Sequence, residues 1–196
     1  MTLLRNPSTQ KSFVNTQLKL QIGDRIMDSQ LLDIRNEMID NCSVGDAAKF
    51  IANYESHPEL HSVWPWLYTA ASDGNVEVVR YLLAKGLNPN ERSKYSSKMP
   101  ALKAACSIGN STIVEMLVAS GACVDVDNID DNALFSAIHA RSLECVKLLV
   151  DAGIDIHKVY DLGHRHKNAL AFAEEEGCTY IAKYLREQGA VLPPAK

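Results

Sequence analysis

Four stretches of this chain can be laid over one another without a gap: LYTAASDGNVEVVRYLLAKG (67–86), LKAACSIGNSTIVEMLVASG (102–121), LFSAIHARSLECVKLLVDAG (134–153) and LAFAEEEGCTYIAKYLREQG (170–189). A period of this size restricts the fold more than any local feature, because each block must be one supersecondary unit that buries its apolar face against its neighbours. Leucine recurs at Leu67, Leu102, Leu134 and Leu170, with alanine three residues on at Ala70, Ala105, Ala137 and Ala173. A turn follows at Gly74, Gly109, Arg141 and Gly177, then leucine at Leu82, Leu117, Leu149 and Leu185 and a closing glycine. The turn positions lie 35, 32 and 36 residues apart, and the variation falls between the blocks, as it does in loops.

Each block reads as two helices joined by a tight turn. Small alanines on the first helix allow the next block to approach closely, while Leu, Val and Ile at helical spacing on the second bury a shared stripe. The closing glycines fall just past the second helix, where a left-handed backbone is cheap only without a β-carbon.

The blocks resemble ankyrin repeats, whose pattern runs roughly T-P-L-H-x-A-A-x-x-G-H-x-x-V-V-x-x-L-L-x-x-G-A. The resemblance covers residues 65–192 and implies an all-α solenoid of stacked helix-turn-helix repeats with hairpin-like finger loops and helical caps. The departures lie where the family opens its first helix: this chain has Pro65-Trp66-Leu67-Tyr68, Pro100-Ala101-Leu102-Lys103, Asn132-Ala133-Leu134-Phe135 and Asn168-Ala169-Leu170-Ala171. The family's threonine and histidine hydrogen bonds are missing, and Asn132 and Asn168 are expected to cap their helices instead.

The expected organisation is an N-terminal arm over residues 1–23, a helical cap over 24–61 and the ankyrin-repeat domain over 62–196. In the cap, Met27, Leu31, Ile34 and Met38 form one apolar stripe, and Val44, Ala47, Ala48, Ile51 and Tyr54 a second. Arg186 and Glu187 make the last block more polar, as a C-terminal cap requires.

With 46% hydrophobic and 22% charged residues, the 196-residue chain has the balance of a globular protein, and a net charge of -4 supplies no field for nucleic acid or an anionic membrane. No apolar run reaches transmembrane length or follows Arg5 as a secretory signal would, so the expected location is the cytoplasm. Five cysteines without a CxxC pair (Cys42, Cys106, Cys123, Cys145, Cys178) argue against disulfides and structural zinc and read as small apolar fillers, with Cys123 the accessible one.

Chemistry would have to hide in the fingers at 87–100, 122–132 and 154–168. His157, His164 and His166 share one finger, but a hairpin tip rarely supplies the fixed geometry and second shell a metal needs, so neither metal nor cofactor is expected. Asp125, Asp127, Asp130 and Asp131 do not follow the calcium-loop order and read as a solvated acidic tip, as does the Glu174-Glu175-Glu176 run. No nucleophile elbow, phosphate loop or HExxH motif appears, so the chain is not expected to be an enzyme. Arg141 stands where the other blocks have glycine; the turn has either relaxed or placed a side chain toward a partner.

The ankyrin resemblance implies binding of another protein on the concave face and fingers. The expected partner-binding residues are Ser72, Asp73, Arg92, Lys94, Tyr95, Lys98, Asp127, Asp130, Asp131, His139, Arg141, Tyr160, His164 and Arg165, with Tyr95 and Tyr160 as fingertip anchors and Trp64 and Trp66 as further aromatic candidates. The free chain is expected to be a monomer. The degenerate first-helix motifs without an effector domain are also similar to ankyrin-type immunity proteins of bacterial toxin systems, which implies an inhibitor covering a toxin or effector. The alternatives are an adaptor, scaffold or assembly chaperone that leaves its partner active, and, from another class, a metal protein or enzyme using the histidine finger.

Overall fold

A computed structural model describes residues 29–91, 100–124, 129, 132–161, 163 and 166–194. Ten α-helices and one small hairpin lie among the described residues. The helices form five pairs: α1 (Ser29–Val44) with α2 (Ala47–Ser56), α3 (Trp66–Asp73) with α4 (Val76–Ala84), α5 (Ala101–Ser107) with α6 (Ser111–Ala119), α7 (Ala133–His139) with α8 (Leu143–Asp151), and α9 (Ala169–Glu175) with α10 (Thr179–Glu187). The first helices stack in one row and the second helices in another, each against the next pair in sequence. This is the all-α ankyrin solenoid expected from the four blocks.

The side chains that start the second helices explain their positions. Asp46, Asn75, Asn110 and Ser142 each accept a hydrogen bond from the backbone amide three residues on, satisfying a donor that the first turn leaves free. Cys178 starts α10 without such a bond. Among the first helices, Asn132 caps α7 through the amides of Leu134 and Phe135, and Asn168 caps α9 through Ala171, as expected. Pro65 and Pro100 precede α3 and α5 without a side-chain cap.

The N-terminal helix pair is built as a repeat. In the four blocks the residue after the turn donates its amide to the carbonyl of the buried alanine: Asn75 to Ala70 at 2.9 Å, Asn110 to Ala105 at 3.1 Å, Ser142 to Ala137 at 3.0 Å and Cys178 to Ala173 at 2.8 Å. Asp46 makes the same bond to Asn41 at 2.9 Å, across a left-handed Gly45. Asn41 therefore occupies the alanine position, and this polar residue hides the repeat from pattern matching. The expected second stripe is corrected accordingly: Val44 and Ala48 are exposed, and Phe50 and Tyr54 are the buried residues of α2. Trp66 is buried at the junction, its ring edge-on to Phe50 at 5.5 Å and its Nε1 donating to the Leu60 carbonyl at 2.8 Å. Trp66 is thus a packing residue. Trp64, half-buried, donates to the Thr69 hydroxyl.

The repeat core lies where the spacing places it. Ala70, Ala105, Ala137 and Ala173 are fully buried, as are Leu82, Leu117, Leu149 and Leu185. Each such leucine contributes roughly 1.5–3 kcal/mol relative to exposure. Cys42, Cys106, Cys145 and Cys178 are buried fillers in this core, and Cys123 is exposed. Among the described residues, no helix is long and apolar enough to cross a membrane.

Candidate functional site

Stacking sets the inner helices in register, so residues of the same repeat position stand side by side on one face. Lys103 aligns with Phe135 and Ala171, Ser136 with Phe172, and Ser107 with His139 and Glu175. Between α5, α7 and α9 these side chains line a groove of about 230 Å³, made by Lys103, Ser107, Phe135, Ser136, His139 and Phe172 with Ile129 and Asn132 of the second finger.

The groove has an aromatic floor. Phe135 is buried and lies 4.9 Å from Phe172, ring centre to ring centre, tilted by 51°. Tyr160 meets Phe135 edge-on at 5.6 Å. Such pairs add about 0.5–1.5 kcal/mol beyond simple burial. The rim is polar: Ser107 donates to the Lys103 carbonyl, and His139 Nδ1 lies 3.2 Å from Glu176 Oε2.

Tyr160 is not a free fingertip anchor. It sits in strand β1 (Tyr160–Asp161), paired antiparallel with β2 (His166–Lys167), and is 8% exposed. Its hydroxyl accepts from Asn132 Nδ2 at 2.7 Å, which turns the side chain inward against α7. An amphipathic ring gains more from covering Phe135 and meeting a buried amide than from standing in water.

His139 and Arg141 converge, as their positions on one turn allow. Both reach Glu176 of the next repeat, His139 through the carboxylate and Arg141 by donating Nη2 to the backbone carbonyl at 3.0 Å. Arg141 keeps the left-handed backbone, with φ of 56°, so the turn has not relaxed. Ser72 and Asp73 lie further along the same row of helices, with α5 between. Ser72 donates to the Thr69 carbonyl, and exposed Asp73 accepts from Ser43 at 2.9 Å. Arg92, Lys94, Tyr95, Lys98, Asp127, Asp130, Asp131, His164 and Arg165 lie outside the described residues.

The glutamate run reads differently in three dimensions. Glu174 pairs with Arg186, Glu175 with Lys167 at 2.5 Å, and Glu176 with His139, so each acid has a partner on another element, while Glu174 and Glu175 stay exposed as expected. Phe135, Phe172, Lys103, Ser107 and Ser136 were missed as site residues. Phe172 alone carried a signal, as the one aromatic at the repeat position it shares with Thr69, Ala104 and Ser136.

The buried thiols are poorly suited to nucleophilic chemistry. Burial, reinforced by the negative charge of Asp73, pushes the Cys42 thiol up to about 12. Burial also raises Cys106 and Cys145. Among the described residues, no group of three or more His, Cys, Asp or Glu is placed to hold a metal ion.

Comparison with known proteins places these features in context. The family model for ankyrin repeats, in three copies, matches residues 67–160. A putative ankyrin repeat protein of fowlpox virus is 29% identical over 161 residues, covering 79% of this chain and 35% of that protein. An ankyrin repeat domain-containing protein of Stachybotrys chartarum is 35% identical over 92 residues, 46% of this chain and 5% of its own length. The nuclear factor NF-kappa-B p105 subunit of Gallus gallus is 29% identical over 123 residues, 59% of this chain and 12% of that one. The chain thus spans little more than a third of the length of the first of these relatives and much less of the others.

Proposed function

This chain is an ankyrin-repeat protein, hence a protein-protein interaction module, and on that premise we propose that its partner seats a segment in the groove between α5, α7 and α9 and is inhibited by being covered there. The observation that carries the reading is the groove itself: an aromatic floor of Phe135 and Phe172 inside a polar rim of Lys103, Ser107, Ser136 and His139. That is the composition of an interface hot spot, with apolar anchors shielded from water by a polar surround. A site preformed on stacked helices loses little entropy when it docks. A segment held there is withdrawn from other binders on one whole side, which favours neutralisation of a toxin or effector over tethering.

The remaining contacts in this proposal come from the row Ser72, Asp73, His139 and Arg141 and from the finger residues Arg92, Lys94, Tyr95, Lys98, Asp127, Asp130, Asp131, His164 and Arg165. Opposite charges along these fingers would fix orientation more than affinity. We place the protein in the cytoplasm as a monomer that binds neither nucleic acid nor membrane.

The test is capture of a partner with the full chain, repeated with Ser136→Trp, which fills the groove from a half-buried position, and with Arg92, Tyr95 and Arg165 changed to alanine. The expected result is a partner whose own activity falls at equimolar ratio and returns with Ser136→Trp. Binding that leaves the activity intact and admits a second protein identifies an adaptor. Binding indifferent to Ser136→Trp excludes the groove.

A further inference from the structure

Helix α1 differs from the inner helices stacked after it in what it buries. Its buried residues are Arg35, Met38, Asn41 and Cys42, whereas α5 buries Ala101, Leu102, Ala104, Ala105 and Cys106, and α7 buries Ala133, Leu134, Phe135, Ala137 and Ile138. Two of the four residues that α1 takes out of water are therefore polar. Burial pushes the Arg35 guanidinium below its ordinary value, because a charged group gives up hydration there. The Trp64 ring, centred 5.3 Å from the guanidinium, returns part of that loss.

Asn41 adds an amide to the same buried face. It is 7% exposed, and its Nδ2 has no hydrogen-bond partner among the described residues. A donor buried in this way forfeits its hydration without return, a cost that Ala70, Ala105, Ala137 and Ala173 do not carry at the same repeat position. Moving α1 away from α3 lets water reach the amide, so part of the packing energy lost in opening is recovered.

The two helices of the first repeat are tied to the second unequally. On the outer row, Glu55 of α2 accepts from the Tyr81 hydroxyl at 2.5 Å and lies 2.6 Å from the Lys85 ammonium at the end of α4. Tyr54 meets Tyr81 edge-on at 5.8 Å, and Phe50 meets Trp66 in the same way. On the inner row, α1 reaches the next repeat through a long bond from Asn75 Nδ2 to the Cys42 carbonyl, 3.3 Å, and an exposed one from Ser43 to Asp73. The left-handed Gly45 separates the two helices.

We propose that α1 is a hinged lid, which swings off α3 about the Gly45 turn while α2 stays clamped to α4, and that the buried Asn41 amide sets how often it opens. Opening breaks the bond from Ser43 to Asp73 and bares the face of α3 that α1 covers. Asp73 belongs to the contact row of the function proposed above, so on that reading the lid decides when the N-terminal end of the row is free. The opening itself depends on no partner.

Hydrogen exchange of the full-length chain without a partner, at neutral pH in urea below the unfolding transition, reads the opening helix by helix. Amides of α1 are expected to exchange at least about tenfold faster than those of α2 and α7. Asn41→Ala, which installs the residue of the other repeats, and Asn41→Leu, which keeps the volume, both remove the buried donor. At least one of them should slow exchange in α1 by about tenfold. Ile138→Val, a loss confined to the core around α7, should speed α7 and leave α1 as it was. A single rate for α1 and α2 overturns the hinge, because the first repeat then leaves as a unit. Equal acceleration of α1 and α7 by Ile138→Val overturns the lid, because α1 then exchanges only when the whole chain unfolds. Failure of both Asn41 variants to slow α1 overturns the role of the amide. Ser136→Trp, which tests the groove, should leave exchange in α1 unchanged, so the docking reading and the lid fail separately.

Discussion

The hydroxyl of Tyr180 donates to the backbone carbonyl of Arg141 at 2.7 Å, bracing from the next repeat the turn in which Arg141 holds a left-handed backbone. The Arg141 guanidinium returns the contact through the Glu176 carbonyl. Two hydrogen bonds thus offset a conformation that costs about 1 kcal/mol in a residue with a β-carbon.

The order of stabilities at this position follows. Arg141→Gly removes the strain of about 1 kcal/mol and loses one exposed hydrogen bond of about 0.5–1 kcal/mol, so it should match or slightly exceed the wild type. Arg141→Ala keeps the strain and loses the bond, so it should be the least stable of the three. Urea denaturation of the three proteins checks the order, and an alanine variant as stable as the glycine variant would contradict it.

Asn132 serves two structures at once, its Oδ1 capping α7 and its Nδ2 donating to the Tyr160 hydroxyl. Asn132→Ala should cost about 1–2 kcal/mol by thermal or chemical denaturation, since both the cap and the bond to buried Tyr160 are lost. Asn132→Asp keeps the cap and loses the donor, so it should cost less. Tyr160→Phe combined with Asn132→Ala should be less than additive, because the two single changes break the same bond.

Acid should loosen the first repeat through Asp46. The Lys49 amide that Asp46 caps, helped by the Lys49 ammonium, holds its carboxyl below the usual range. A lowered value in the folded state means that the unfolded chain binds the proton more tightly. The contribution is therefore complete above the unfolded value, near about 4, and is lost as pH falls through the lower folded value. Amide exchange in α2 should rise below about pH 4, and Asp46→Asn, which keeps a capping oxygen without the charge, should flatten that dependence.

Thiol reactivity should divide the cysteines by position. Burial raises Cys42, Cys106 and Cys145 away from thiolate formation and shields them from reagent, and Cys178 is fully buried. A thiol reagent at pH 8 should label Cys123 rapidly and the other four only on unfolding. Rapid native labelling of Cys106 would show that the repeats separate.

What was legible in the sequence is what acts over short range. Helix pairs, closing glycines, the Asn132 and Asn168 caps and the buried leucines all depend on residues within a few positions of one another, so periodicity and capping chemistry reveal them. Even Arg141 could be singled out, because only its place in the repeat marks it as strained.

Only the tertiary structure decided the rest, and the reason is the offset between neighbouring repeats. Phe135 and Phe172 meet although 37 positions separate them, Tyr160 turns inward because Asn132 waits behind it, and the three glutamates find Arg186, Lys167 and His139 on other elements. Those pairings depend on how far each repeat is displaced on the last, which the summed packing of the alanine and leucine rows sets and no local pattern encodes. The same stacking exposes Asn41 as the alanine position of a further repeat, and it brings Phe135 and Phe172, from two adjacent repeat positions, together as the floor of a groove.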